Sequence, residues 1–218
     1  SFRGVLTSLL SPENKSKVII FTSPHPQEGK TTVISNLAVA LAEIDRKVLL
    51  IDADLRQPRL HTVFGVTNAY GLSDLISQPK ALETLPIASL SKETSIYGLR
   101  LLPSGPGAIS IPKVLYSTWM DKLFDRLRQE YDMVLIDTPP MMTVPDARIL
   151  ARKADAAVLV LRSNHTTKSV ARAAVERLIE DGTPILGTVL NDWSPKSSKS
   201  RNHYNGFYYY DDQDARKG

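Results

Sequence analysis

No cysteine occurs in the 218 residues. That absence rules out disulfides, thiolate metal sites and cysteine nucleophiles, and it fits a reducing compartment. Histidine is scarce: four residues are scattered along the chain without the spacing of a zinc site. No apolar run approaches the roughly 20 residues of a membrane helix, and the first residues do not read as a secretory signal, so a soluble body is expected. A strong charge of one sign is missing too. The 27 basic and 23 acidic side chains are interspersed and leave a net charge of +4. The resulting pI near 9.2 suits anionic partners, and no nucleic acid partner is expected.

What is present is an alternation. Strand-like runs at Lys17–Ser23, Lys47–Ile51, Leu99–Leu102, Met133–Ile136, Ala156–Leu161 and Ile185–Leu190 are short, aliphatic or β-branched, and bounded by turn residues. Helical patterns lie between them at Thr31–Ile44, Pro112–Gln129 and Lys168–Glu180, the first with Ile34, Leu37, Ala38 and Leu41 on one apolar face. Strands apolar on both faces, joined by helices, predict an α/β domain with a mainly parallel sheet covered on both sides. Its length allows one substantial core, expected over residues 1–193. From Ser194 to Gly218 the chain turns to Ser, Lys, Asn, Tyr and Asp without apolar periodicity and reads as a flexible tail. Four of the eight tyrosines fall there: Tyr204, Tyr208, Tyr209 and Tyr210.

Three motifs sit at the carboxyl ends of these strands, where parallel sheets bind ligands. The first is Pro26-Gln27-Glu28-Gly29-Lys30-Thr31-Thr32. Its second half matches the phosphate-binding loop G-x-x-x-x-G-K-[ST], with Pro24 in the place of the first glycine. In such a loop the backbone N–H groups and the following helix N-terminus hold phosphate oxygens. Lys30 is expected on the phosphates, Thr31 on Mg²⁺ and Thr32 near the α-phosphate, with Gln27, Glu28 and Gly29 completing the cradle. The second motif places Asp52 and Asp54 after Val48–Ile51. Two carboxylates that close call for a cation such as Mg²⁺, and one of them can accept a proton from an attacking hydroxyl. The alternative is a turn cap at Asp52 and a solvated Asp54. Arg56 either binds phosphate or pairs with a carboxylate. In the third motif Asp137 follows Val134–Ile136 and fits a water-mediated Mg²⁺ contact, while Pro139 and Pro140 stiffen the exit. Asp146 is expected as a helix N-cap, and Asn191 as an adenine contact or a turn residue. Together the motifs predict an ATP-dependent P-loop protein.

From Lys17 to Asn191 the chain resembles the cytoplasmic catalytic domain of the bacterial tyrosine kinases of capsule and exopolysaccharide export, and the tyrosine-rich tail extends the resemblance to Tyr210. The family pattern P-x-E-G-K-[ST] is met at Pro26–Thr31, D-x-D-x-R-x-P within Val48–Pro58, and D-T-P-P within Val134–Pro140. The related positioning and partition ATPases carry a signature lysine where this chain has His25, which favours the kinase branch. The resemblance implies autophosphorylation of the tail tyrosines in trans, with Mg²⁺-ATP as donor and Lys30, Asp52, Asp54 and Asp137 as catalytic groups. Thr31 and the three aspartates would serve the metal. It also implies a ring-like assembly of copies of the chain at the inner face of the cell membrane, working with a membrane-embedded chain-length or export component in cis or in trans. Of the E-x-x-R-x-x-R helix that supports such rings, Arg3 matches the middle residue, whereas Leu6 stands at the last arginine. From Trp193 an extended chain reaches Tyr204 within roughly 36–40 Å, enough for the chain's own site or a neighbour's. The other readings are a positioning-type ATPase switch and a nucleotide-binding scaffold of an export complex.

Overall fold

The computed structural model describes residues 2–77, 86–106 and 118–194. Seven strands form one sheet: β1 (Val18–Thr22), β2 (Val48–Asp52), β3 (Lys92–Glu93), β4 (Leu99–Leu102), β5 (Met133–Asp137), β6 (Ala156–Arg162) and β7 (Ile185–Asn191). Their order is β3-β4-β2-β5-β1-β6-β7, and every pairing is parallel except β3 with β4. The helices are α1 (Phe2–Leu9), α2 (Lys30–Ala42), α3 (Leu60–Val63), α4 (Leu72–Ser77), α5 (Ile87–Leu90), α6 (Thr118–Glu130), α7 (Asp146–Ala151) and α8 (Lys168–Glu180).

Strand alternation divides the core into two halves. Ile20, Leu49, Ile51, Val134 and Ile136 face a layer containing Leu123, Phe124 and Leu127 of α6 and Leu178 of α8. Ile19, Phe21, Leu50, Leu101 and Leu135 face α2 through Ile34, Leu37, Ala38 and Leu41. The predicted apolar face of α2 is thus the face it buries, each large aliphatic side chain contributing about 1.5–3 kcal/mol. All five residues of β1, β2 and β5 are buried, which is why these strands read as continuous apolar runs. The edge strand β7 is covered only in part.

The expected parallel α/β sheet with helices on both faces is what the chain adopts. Helix α1 lays Leu9 into the core with Val5 and Leu6 packed against it, so Leu6 serves packing where the ring-supporting pattern has arginine. Asp146 opens α7 without capping it: Pro145 stands at the N-cap, and the Asp146 carboxylate is taken by Arg56. The tail, apart from Ser194, and the first part of the predicted Pro112–Gln129 helix lie outside the described residues.

Candidate active site

Strands β1, β2 and β5 end side by side, and the three motifs meet there. After β1 the chain turns through Gln27 and Gly29, both with positive φ (62° and 87°), and enters α2 at Lys30. The turn is held from behind. Glu28 is fully buried and accepts hydrogen bonds from the His25 N–H (3.0 Å) and from the Thr166 hydroxyl. The Glu28 carbonyl accepts from Asn191 Nδ2 at 3.1 Å, and the Gln27 carbonyl from Arg162 at 3.4 Å. A Cβ on Gly29 would stand 2.0 Å from Asn191 Nδ2, so glycine is required by both the backbone angle and the space. Among the described residues nothing accepts a hydrogen bond from the N–H groups of Gln27 to Thr32. A helix without a side-chain cap therefore presents its free donors and its positive dipole end at the mouth of the sheet.

Lys30 and Thr31 face the acidic motifs. Thr31 donates its hydroxyl to Asp137 Oδ2 at 2.7 Å, while Asp137 Oδ1 is buried with no partner. Burial raises the Asp137 carboxyl to about 6; the Thr31 hydrogen bond and Lys30 pull it down, and Asp54 pushes it up. Asp52 lies opposite Asp137 in the β2–β5 register and is fully buried. Its Oδ2 accepts the N–H groups of Arg59 and Leu60 at 3.0 Å each, and its Oδ1 that of Asp54 at 3.3 Å. Burial first, then Asp137 and Asp54, raise Asp52 to about 7 against those N–H groups. Asp54 is half-buried and lines a cleft of about 410 Å³ together with Gly29, Lys30, Thr31 and Thr32. Its Oδ1 accepts from the Gln57 and Arg56 N–H groups at 3.0 and 3.3 Å. Arg56 also lines this cleft and binds Asp146 Oδ2 through Nε at 3.1 Å, the carboxylate option of the two expected for it.

The structure thus gathers Gln27, Gly29, Lys30, Thr31, Thr32 and Asp54 around one cleft, with Asp137 and Asp52 in the floor beneath. Glu28 offers the cleft backbone only, because its carboxylate points inward. Asn191 braces the loop from the far side. Sequence reading missed Thr166 and Arg162. They lie more than 130 residues from the loop they hold, and no local pattern marks them.

A family model described as an AAA domain matches residues 16–181. Tyrosine-protein kinase YwqD of Bacillus subtilis is 37% identical over 215 residues, covering 98% of this chain and 86% of that protein. The chain belongs to the bacterial tyrosine-protein kinases. Among solved structures, the kinase domain of the Escherichia coli tyrosine kinase ETK superposes with a TM-score of 0.79 at 29% identity, over 94% of this chain and 77% of that one. The septum site-determining protein MinD of Pyrococcus horikoshii, solved with Mg-ADP, gives 0.63 at 28% identity over 80% and 69% of the two chains. The P-loop fold shared by this kinase family and MinD implies nucleotide binding. No helix among the described residues is long and apolar enough to cross a membrane.

Proposed function

We propose that the chain is an ATP-dependent tyrosine autokinase that modifies Tyr204, Tyr208, Tyr209 and Tyr210 on a neighbouring copy and so regulates capsule or exopolysaccharide synthesis at the inner face of the membrane. The observation that carries this reading is the uncapped α2 N-terminus with Lys30 set against the half-satisfied Asp137. Free N–H groups of the loop bind phosphate oxygens, and Lys30 neutralises charge on the terminal phosphates.

The residues present fit Mg²⁺. Among the described residues no group of three or more acidic or histidine side chains could hold a metal alone. Mg²⁺ needs no such cage, since it keeps waters and takes phosphate oxygens alongside one or two protein ligands. The Thr31 hydroxyl and the orphaned Asp137 Oδ1 would supply these, with Asp54 at the rim and Asp52 bearing on the site from below. When bound, the ion offsets negative charge on the phosphates and orients them. Asp54 would take the proton of an incoming tyrosine hydroxyl, which is otherwise lost only near pH 10, and its position in the cleft wall supports that role. Asp52, buried and fully engaged, holds the Asp54–Leu60 turn in place.

Incubation with Mg²⁺-ATP followed by mass spectrometric mapping tests the reading. Phosphate confined mostly to the tail, lost in Lys30→Met and in the tail Tyr→Phe variants, is the expected result. ATP hydrolysis without phosphotyrosine would move the chain to the positioning-ATPase class represented by MinD.

A further inference from the structure

Three of the eight tyrosines are among the described residues, and they differ sharply. Tyr131 is 2% exposed, Tyr70 is half-buried, and Tyr97 is 92% exposed. Tyr97 stands in the turn between β3 and β4, and that turn is firmly built. Thr94 Oγ1 donates to the carbonyls of Ile96 and Leu99 and accepts from the Ile96 N–H, while the Gly98 carbonyl accepts from the Val48 N–H at 2.9 Å. Gly98 adopts a φ of 80°, and a Cβ there would press on the Arg46 carbonyl at 3.3 Å. The result is a tyrosine held out in solvent on a fixed support.

Beside it lies a cavity of about 550 Å³ at the amino ends of the parallel strands. Three cations, Arg46, Lys47 and Arg100, and two carboxylates, Asp45 and Glu93, line it together with Tyr97. Arg100 is already bound to Glu93, Ser91 and Ala88, and Lys47 rests on the Tyr131 ring with Nζ 4.9 Å from its centre. Arg46 is exposed and pairs with no carboxylate among the described residues. Arg46 and Tyr97 line the same cavity, so a phosphate formed on Tyr97, which brings about 1.5–2 negative charges at neutral pH, would find a guanidinium free to pair with it.

The geometry points to Tyr97 as a phosphorylation site of the folded domain, modified only by a second copy of this chain. The inference rests on the kinase reading and adds to it an acceptor outside the tail. Helix α2 begins at Lys30 in the cleft and ends at Ala42 in the wall of the Tyr97 cavity, so about 20 Å separates the two ends of the molecule. The pinned turn cannot cross that distance to its own cleft. In the transfer, Tyr97 Oη of one copy attacks the γ-phosphorus of ATP bound to another. An O–P bond forms, the bond to the β,γ-bridging oxygen breaks, ADP leaves, and the tyrosyl proton passes to Asp54 of the donor copy.

The test mixes an active intact chain with a mass-tagged acceptor carrying Lys30→Met and Phe at all four tail tyrosines, adds Mg²⁺-ATP, and maps phosphate on each. Phosphate at Tyr97 of the acceptor, absent in Tyr97→Phe, is expected. A dilution series of the unaltered chain serves as a second measurement that needs no variant to fold: the fraction of Tyr97 modified at fixed time should rise with concentration. Arg46→Ala should shorten the life of the Tyr97 phosphate under a tyrosine phosphatase, and equal lifetimes would remove Arg46 from the site. Tail phosphorylation with Tyr97 untouched overturns the inference and leaves the kinase reading standing; a rate at Tyr97 independent of dilution overturns the requirement for a second copy. No phosphotyrosine anywhere overturns the kinase reading itself.

Discussion

At the scale of single residues, Gly29 and the aspartate pair set the demands of the site. Gly29→Ala introduces a methyl 2.0 Å from Asn191 Nδ2 on a backbone with φ of 87°. A left-handed non-glycine residue costs roughly 1–2 kcal/mol, so nucleotide affinity should fall about 5- to 30-fold in a fluorescent-nucleotide titration. Adding Asn191→Ala removes the collision but not the backbone cost, so that loss of about 5- to 30-fold, at the least, should remain in the double variant. Asp52 and Asp137 make a different prediction. Their carboxyls, raised to about 7 and about 6 from 3.8, bind more protons in the folded chain than in the unfolded one. The stability they contribute is complete below pH 4 and is lost as pH rises through 6 and 7. Asp155 and Asp181, both lowered, act in the opposite sense, and their contribution is lost only as pH falls below 4. Melting of the nucleotide-free protein should therefore show Asp137→Asn gaining on the parent chain between about pH 4 and pH 6 and keeping that gain at higher pH. A gap that stays constant over that range would count against the shifted carboxyl. Binding of Mg²⁺-nucleotide, which favours the ionised pair, should release protons near pH 6.5, visible as a buffer-dependent calorimetric heat.

At the scale of elements, the loop after β1 depends on residues that enter from β6, β7 and the turn before α8. Thr166→Val leaves the buried Glu28 carboxylate without its hydroxyl donor. A loss of about 1–3 kcal/mol in stability is expected, together with weaker nucleotide binding, read by thermal denaturation with and without ligand. Unchanged nucleotide affinity would mean that the loop keeps its shape without the clamp. Which elements could be foreseen follows from where their stability lies. Strands β1, β2 and β5 were legible to within a residue because burial on both faces writes itself as an apolar run. Helix α8 was legible at both ends because Thr167 accepts the Val170 N–H and opens an amphipathic pattern. Helices α3, α4 and α5 were not foreseen: they have four to six residues, too few for a periodic signal, and are set by distant partners; α7, equally short, was foreseen only through Asp146, which proves to open the helix rather than cap it. Asp52 receives the Leu60 N–H of α3, and the Pro103 carbonyl receives the Leu72 N–H of α4. The site followed the same rule. Lys30, Thr31, Asp54 and Asp137 announced themselves by spacing, whereas Thr166 and Arg162 reach the loop only through the fold.

At the scale of the whole molecule, the proposed nucleotide site and the proposed acceptor lie at opposite ends of α2. One end carries the free helix N-terminus and the carboxylates; the other carries Tyr97 and the cavity beside it. Lys30→Met should abolish phosphotyrosine formation, lowering the rate by at least about 100-fold, as loss of one charge-stabilising donor commonly does. The chain should remain folded by circular dichroism, because Lys30 takes no part in the buried apolar layers. The strands that end in the three motifs are also the three at the centre of the sheet, β2, β5 and β1, each fenced by another strand on both sides. The floor of the proposed site is consequently laid on the slowest-opening part of the protein, where hydrogen exchange should require global unfolding, while α1 can fray without disturbing it. In a urea titration the capacity to bind nucleotide and the sheet itself should disappear at one midpoint, leaving no concentration at which a folded but empty-handed kinase accumulates.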